Sequence, residues 1–467
     1  MIAPGRPRPH FGWWALLYAL VVFYASTFVS VTGIVIFPRD PEQMFLKLMA
    51  VPLVAHGSDQ RADWMGNLGM LIPLGFLATA YLLPAPRPAG RTWGVQGPLY
   101  GGIVRRVFAV IGAMILCVPF ILGVKYVQLF TPRTVILNYI IAQTAGAAIG
   151  SLLCVCAIDV ITVQLRQMRD GSHAGLVSAL RLYTVAVFVF ALAPFDAVVS
   201  AQDVADRMLS LPNSLFAIPG ADRSMHLRLL ILAGGAGMMV PVGMWLQART
   251  PAISFAGAIL RGLALVVLML VLSMAILSAS PSLFSVPLRL GGILAGIVAY
   301  RLLARFPLLP ARRALGWLAA LALLPYLAAL LAANSVAAFA WRNPAEVWAT
   351  LDPRYLLPFW THYMVPKAQA IKSVVVHVIM YMPIGAMVWA WCGGGRWQAW
   401  LAAILGFALA LAMEVARAMT PGLMLDLNNV TLAAVAAGAA VGLARMLWAM
   451  AASIYAMREQ NAPSRDG

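Results

Sequence analysis

The chain has 467 residues, of which 62% are hydrophobic and only 10% charged, well below the roughly 25% charged that is usual for a soluble domain. That balance excludes a soluble globular protein, because apolar stretches of about 20 residues, enough to cross ~30 Å of hydrocarbon, recur from Phe11 almost to the end. The formal net charge of +17 is read as basic loops facing anionic lipid, with no nucleic-acid partner.

In chain order, apolar windows predict helices near 12 to 36, 65 to 84, 103 to 124, 135 to 160, 177 to 199, 228 to 247, 252 to 278, 285 to 304, 313 to 336, 371 to 391, 398 to 418 and 429 to 453. The fold class expected is therefore all-α, a polytopic membrane helix bundle of about twelve transmembrane helices. The first window, unbroken to about Phe37, is longer than the apolar region of a cleaved signal and reads as an anchor. Charges test the count. Arg6 and Arg8, then Arg87, Arg91, Arg105 and Arg106, then Arg166 and Arg169, and so on to Arg445 and Arg458, fall in alternate loops. The intervening loops are longer and mixed in sign, with Asp59, Asp63, Asp203, Asp206, Glu346 and Asp352. By the bias of basic residues toward the cytoplasm, both termini are expected to be cytoplasmic. The longest loop, 337 to 370, is rich in Trp and Tyr and suits an interfacial segment. The tail, 457 to 467, reads as disordered.

Two parts of the chain share a layout. Asn67 stands six residues before Pro73 in Ile72-Pro73-Leu74-Gly75, and His377 six before Pro383 in Met382-Pro383-Ile384-Gly385. A helix follows, then Thr131-Pro132 in one part and Thr420-Pro421 in the other. Each part ends in Gly-Ala-Ala-x-Gly, at Gly146 to Gly150 and Gly438 to Gly442. Two glycines four apart share a helix face and permit close helix approach. The prolines fall inside helices, where each removes a backbone hydrogen bond and bends the helix.

Asn or His ahead of a Pro-x-Gly helix, a polar turn and a closing Gly-x-x-x-Gly helix resemble the VanZ-like family, named for an accessory teicoplanin-resistance protein. Residues 11–160 form the first family-like unit, 177–336 a middle set of membrane helices, and 337–453 the second unit. Ala193-Pro194-Phe195-Asp196 in the middle also resembles family sequences. The resemblance implies a multi-pass protein of the bacterial cytoplasmic (inner) membrane, a part in the cell envelope and a tie to glycopeptide resistance. The copies depart from the family pattern in complementary ways. The first keeps Gln128 and Arg133 but has Lys125 where an acid is expected; the second keeps Glu414 and Asp426 but has Arg417 in place of Gln.

On the predicted topology Asn67, Lys125, Gln128, Arg133, His377, Glu414 and Asp426 all fall near the outer ends of their helices, and they form the candidate binding cluster. Ionisable groups near the membrane are costly and mark a site, a pathway or an ion pair. The complementary departures suggest that Glu414 and Asp426 pair with Lys125 and Arg133. No nucleophile, metal or phosphate-loop motif accompanies them, so neither a catalytic set nor a metal site is assigned, no cofactor is expected, and a non-enzymatic role is favoured. The leading reading is an envelope protein whose outer polar cluster recognises a lipid headgroup or a lipid-linked cell-wall precursor. Alternatives are a twelve-helix transporter, which the duplication suits, and an intramembrane enzyme with His377 and Glu414 as acid and base.

Overall fold

A computed structural model describes residues 11–27, 36–53, 61–83, 102–192, 198, 200–222, 224–250, 254–276, 279–305, 312–336, 341–350, 352, 354, 357, 360–363, 365, 367–423 and 425–461. Among them the regular elements are helices: α1 (Phe11–Thr27), α2 (Pro41–Met49), α3 (Arg61–Leu82), α4 (Ile103–Gln128), α5 (Leu137–Arg169), α6 (His173–Leu192), α7 (Ala201–Leu215), α8 (Met225–Gly237), α9 (Val240–Arg249), α10 (Phe255–Met274), α11 (Ser285–Leu303), α12 (Arg312–Ala333), α13 (Pro344–Thr350), α14 (Trp360–Tyr363), α15 (Lys367–Cys392), α16 (Arg396–Met419) and α17 (Leu427–Asn461). Among the described residues eleven spans are long and apolar enough to cross a membrane, with α8 and α9 together making one of them, and α1 is a shorter apolar helix of 17 described residues. The chain is a multi-pass membrane protein of all-α architecture. The Pro194-Phe195-Asp196 segment and Pro358-Phe359 lie outside the described residues, as do 28 to 35, within the first predicted span. The last helix runs to Asn461, past Met457 where the tail was expected to begin; Met457, Arg458, Glu459 and Gln460 are all good helix formers, and nothing there stops the helix.

The chain divides into two compact units, one of Met1–Val163 with Leu357–Ala370, the other of Gln164–Leu356 with Ile371–Gly467. In the first, α1, α3, α4 and α5 pack around Leu71, Leu74, Cys117, Ile121 and Ala147. In the second, one core joins α12, α15, α16 and α17 around Tyr381, Val388, Ala410 and Ala437, and another joins α6, α9, α10 and α11 around Val242, Val266, Ile293 and Ile297.

Lipid tails are as apolar as the side chains, so these helices associate through close packing and polar contacts. Pro73 and Pro383 lie inside α3 and α15, as the sequence predicts. Two residues on, Gly75 faces the carbonyl of Ala147 on α5 so closely that a side chain would overlap it, and Gly385 faces Ala437 on α17 in the same way. Gly146 and Gly150 press on the carbonyls of Leu68 and Ile72. Their sequence counterparts do otherwise: Gly438 faces Ala399 and Ala403 of α16, and Gly442 has open space before it. Alignment of the two Gly-Ala-Ala-x-Gly motifs is therefore two residues out of structural register. Since Gly75 meets Ala147 and Gly385 meets Ala437, the counterparts of Gly146 and Gly150 are the buried Ala436 and Ala440.

Between the membrane helices run amphipathic segments. Asp40 caps α2 by accepting from the Glu42 N–H at 3.1 Å, and Ser200 with Asp203 forms a capping box on α7.

Overpacking a tight helix contact typically costs about 1–3 kcal/mol. Gly146→Leu is expected to lower detergent-solubilised stability by at least about 2 kcal/mol, whereas Gly442→Leu should change it by less than about 0.5 kcal/mol. Equilibrium unfolding followed by tryptophan fluorescence measures both; equal effects would contradict the register.

Candidate functional site

Helix alternation brings the start of α3, the end of α4 and the start of α5 to the end of the first bundle where α1 finishes. Lys125 lies in the last turn of α4 and is buried. Its ammonium donates to Gln128 Oε1 at 3.0 Å and stands 6.0 Å from the centre of the Tyr139 ring. Gln128 Nε2 in turn donates to the carbonyl of Ser26 at 2.5 Å, and the Arg133 guanidinium to the carbonyl of Ala25 at 3.0 Å. Both acceptors are carbonyls in the last described turn of α1. Beside them Thr27 is fully buried, and its hydroxyl has no hydrogen-bond partner among the described residues. Asn67, one turn into α3, donates to the Asp63 carbonyl at 2.8 Å and accepts from Gln143 Nε2 of α5 at 2.9 Å. Three of the four candidates in this bundle, Lys125, Gln128 and Arg133, thus converge on the end of α1, and Asn67 bridges α3 to α5.

The second cluster has a different logic. Glu414, 1% exposed, accepts from Arg417 at 3.0 Å and Asn429 Nδ2 at 2.8 Å on Oε1, and from the backbone N–H of Asp426 at 2.8 Å on Oε2. Asp426 stands just ahead of α17 and accepts from both the N–H and the side-chain amide of Asn428, an N-terminal cap. Both oxygens of Glu414 are taken up inside the bundle, and Arg417, which the sequence marked as a departure, supplies the counter-charge one turn away. Within its own unit, Glu414 is answered by this local counter-charge. Tyr381 of α15 is fully buried in the core of this bundle. His377 takes no part in holding Glu414. Its Nδ1–H donates to the Ser373 carbonyl of its own helix at 2.9 Å, and the ring is half-buried.

Sequence reasoning missed several members. Thr27, Gln143, Tyr381 and Asn429 are polar residues in or beside apolar runs, which is the signal that could have found them. It also placed Arg106 in a loop. The guanidinium instead lies inside the opposite end of the first bundle, paired with Asp159 of α5 and bonded to the Val155 carbonyl. Among the described residues no group of three or more His, Cys, Asp or Glu is arranged to hold a metal ion.

Removing one member of a buried charged network leaves the others desolvated and unpartnered, at a cost of about 3 kcal/mol. Glu414→Ala should therefore destabilise the protein on the order of 2–3 kcal/mol in denaturant unfolding, Arg417 being partly exposed. His377→Ala should cost less than about 1 kcal/mol, since its ring bonds to Ser373 of its own helix. No protein-family model, no curated protein and no solved structure matches this chain.

Proposed function

We propose that this is a non-enzymatic envelope protein of the bacterial cytoplasmic membrane, VanZ-like in its two end bundles, that binds the phosphate-bearing headgroup of a lipid or lipid-linked cell-wall precursor in its first bundle. The observation that carries the reading is the convergence of Lys125, Gln128 and Arg133 on the last described turn of α1, next to Thr27, whose buried hydroxyl has no hydrogen-bond partner among the described residues. An ammonium, a guanidinium, a carboxamide and a hydroxyl are the donors that an anionic oxygen cluster takes, and charge-assisted bonds of this kind are the strong ones. Their place at helix ends suits a headgroup.

Support for two VanZ-like copies comes from bonds made in both end bundles. Tyr18 of α1 donates its hydroxyl to the Met70 carbonyl at 2.7 Å, three residues before Pro73; Tyr326 of α12 donates to the Met380 carbonyl at 3.0 Å, three before Pro383. The enzyme reading is disfavoured because Glu414 is already neutralised by Arg417 and does not meet His377. A general acid or base needs a proton to exchange and a partner within reach of it.

The test is native mass spectrometry of the purified protein with phosphatidylglycerol or phosphatidylcholine. Wild type should retain phosphatidylglycerol selectively, and Lys125→Met with Arg133→Met should lose that selectivity several-fold. Equal retention of both lipids by wild type would overturn the proposal.

A further inference from the structure

The middle helices carry the same marks as the two ends. Tyr183 of α6 donates its hydroxyl to the Met238 carbonyl at 3.0 Å, and Met238 stands three residues before Pro241. The three acceptors therefore open one pattern, Met-x-x-Pro-x-Gly, at Met70 to Gly75, Met238 to Gly243 and Met380 to Gly385. In each, the glycine faces a carbonyl of a later helix: Ala147 on α5, Ile293 on α11 and Ala437 on α17. The register extends beyond the glycine. Gly292 and Gly296 press on the carbonyls of Ala236 and Val240, five residues and one residue before Pro241; Gly146 and Gly150 press on Leu68 and Ile72, five and one before Pro73.

An independent set of bonds repeats the third helix. After the first helix of each set, a backbone N–H reaches the end of the third: Phe37 to the Phe130 carbonyl at 2.7 Å, Val198 to Ala275 at 2.9 Å and Arg342 to Met419 at 2.7 Å. Counting back five residues from these acceptors arrives at Lys125, Leu270 and Glu414, all buried; counting back two arrives at Gln128, Ser273 and Arg417. Eight residues before the glycine-facing carbonyls stand Tyr139, Ser285 and Asn429.

We propose that the chain is three copies of one four-helix unit, α1-α3-α4-α5, then α6 with α8 to α11, then α12-α15-α16-α17, and that the place held by Lys125, Leu270 and Glu414 determines what each copy binds. The first copy takes an anionic headgroup through Lys125, which rests on the function proposed above. The third closes its charge internally on Arg417. The middle copy, with Leu270, Ser273 and Ser285 at the site, binds nothing ionic and serves as scaffold. A random apolar bundle would not repeat a hydroxyl-to-carbonyl bond, a glycine-to-carbonyl contact and a backbone bond in one consistent register. Side chains of the site vary while the frame stays, as they do where one fold carries different sites.

The register says which substitutions the frame tolerates. Lys125→Leu with Gln128→Ser installs in the first copy the pair that the middle copy already holds. Glu414→Leu with Arg417→Ser and Asn429→Ser does so in the third. Both variants should purify monodisperse, with Tm within about 5 °C of wild type. The first should also lose selective phosphatidylglycerol retention several-fold, and the second should keep it. Aggregation or a large fall in Tm of either variant would overturn the equivalence of the three places. Stable variants with phosphatidylglycerol retention unchanged in the first would overturn the assignment of Lys125 as the charge-selecting position. Absence of selective retention in wild type would instead sink the headgroup reading, and the two Tm values would still decide the repeat.

Discussion

The bundles depend on the approach of a proline-containing helix to a neighbour across a glycine. In water, burying a leucine would hold two helices together; in hydrocarbon that gain vanishes, and what remains is dispersion at short range and the satisfaction of polar groups. Pro73 and Pro383 each remove a backbone hydrogen bond from their helix, and Gly75 and Gly385, two residues on, allow the backbones to meet where any side chain would intrude. Once that contact is set, the tyrosine of the preceding helix reaches a carbonyl three residues before the proline, in the helix that holds the proline. Position then follows for the third helix, whose end is tied by a backbone bond from the segment after the first.

This frame places polar side chains at helix ends, where unpaired carbonyls and N–H groups need partners anyway. The first bundle uses Gln128 and Arg133 to bond the carbonyls of Ser26 and Ala25 on α1, and the third uses Glu414 to accept the Asp426 N–H just ahead of α17. Structural demand alone accounts for these bonds, which is why a buried polar group here is not in itself a functional one. Glu414 has a guanidinium, a carboxamide and a backbone N–H around its two oxygens. Lys125 donates to the Gln128 carboxamide and stands over the Tyr139 ring.

Much of this was legible from residues alone. The helical spans followed from apolar length, eleven long enough to cross a membrane among the described residues against about twelve expected, and Pro73 and Pro383 fell inside helices as expected. The convergence of Lys125, Gln128 and Arg133 followed from their common end of alternating helices. Other features were not legible, for physical reasons. Small-residue motifs are degenerate on an alanine-rich helix, so Gly438 and Gly442 matched Gly146 and Gly150 by letter, while the faces that meet α3 and α15 are set by contacts two residues away. The middle Met-x-x-Pro-x-Gly straddles the turn between α8 and α9, and its site positions hold Leu270, Ser273 and Ser285, so nothing ionisable drew attention to it. Arg417 read as a lost glutamine because a sequence shows a departure but not the neighbour that compensates it; at one helical turn from Glu414, the guanidinium was the nearest available partner.

The most direct test of a frame used three times is an experimental density map of the full chain in anionic-lipid nanodiscs. The account predicts that Tyr18, Tyr183 and Tyr326 each place a hydroxyl on the carbonyl three residues before a proline, with Gly75, Gly243 and Gly385 against their facing carbonyls, so that the three helix sets superpose. A map in which the middle helices pack with a different register, leaving Tyr183 away from Met238, would contradict it.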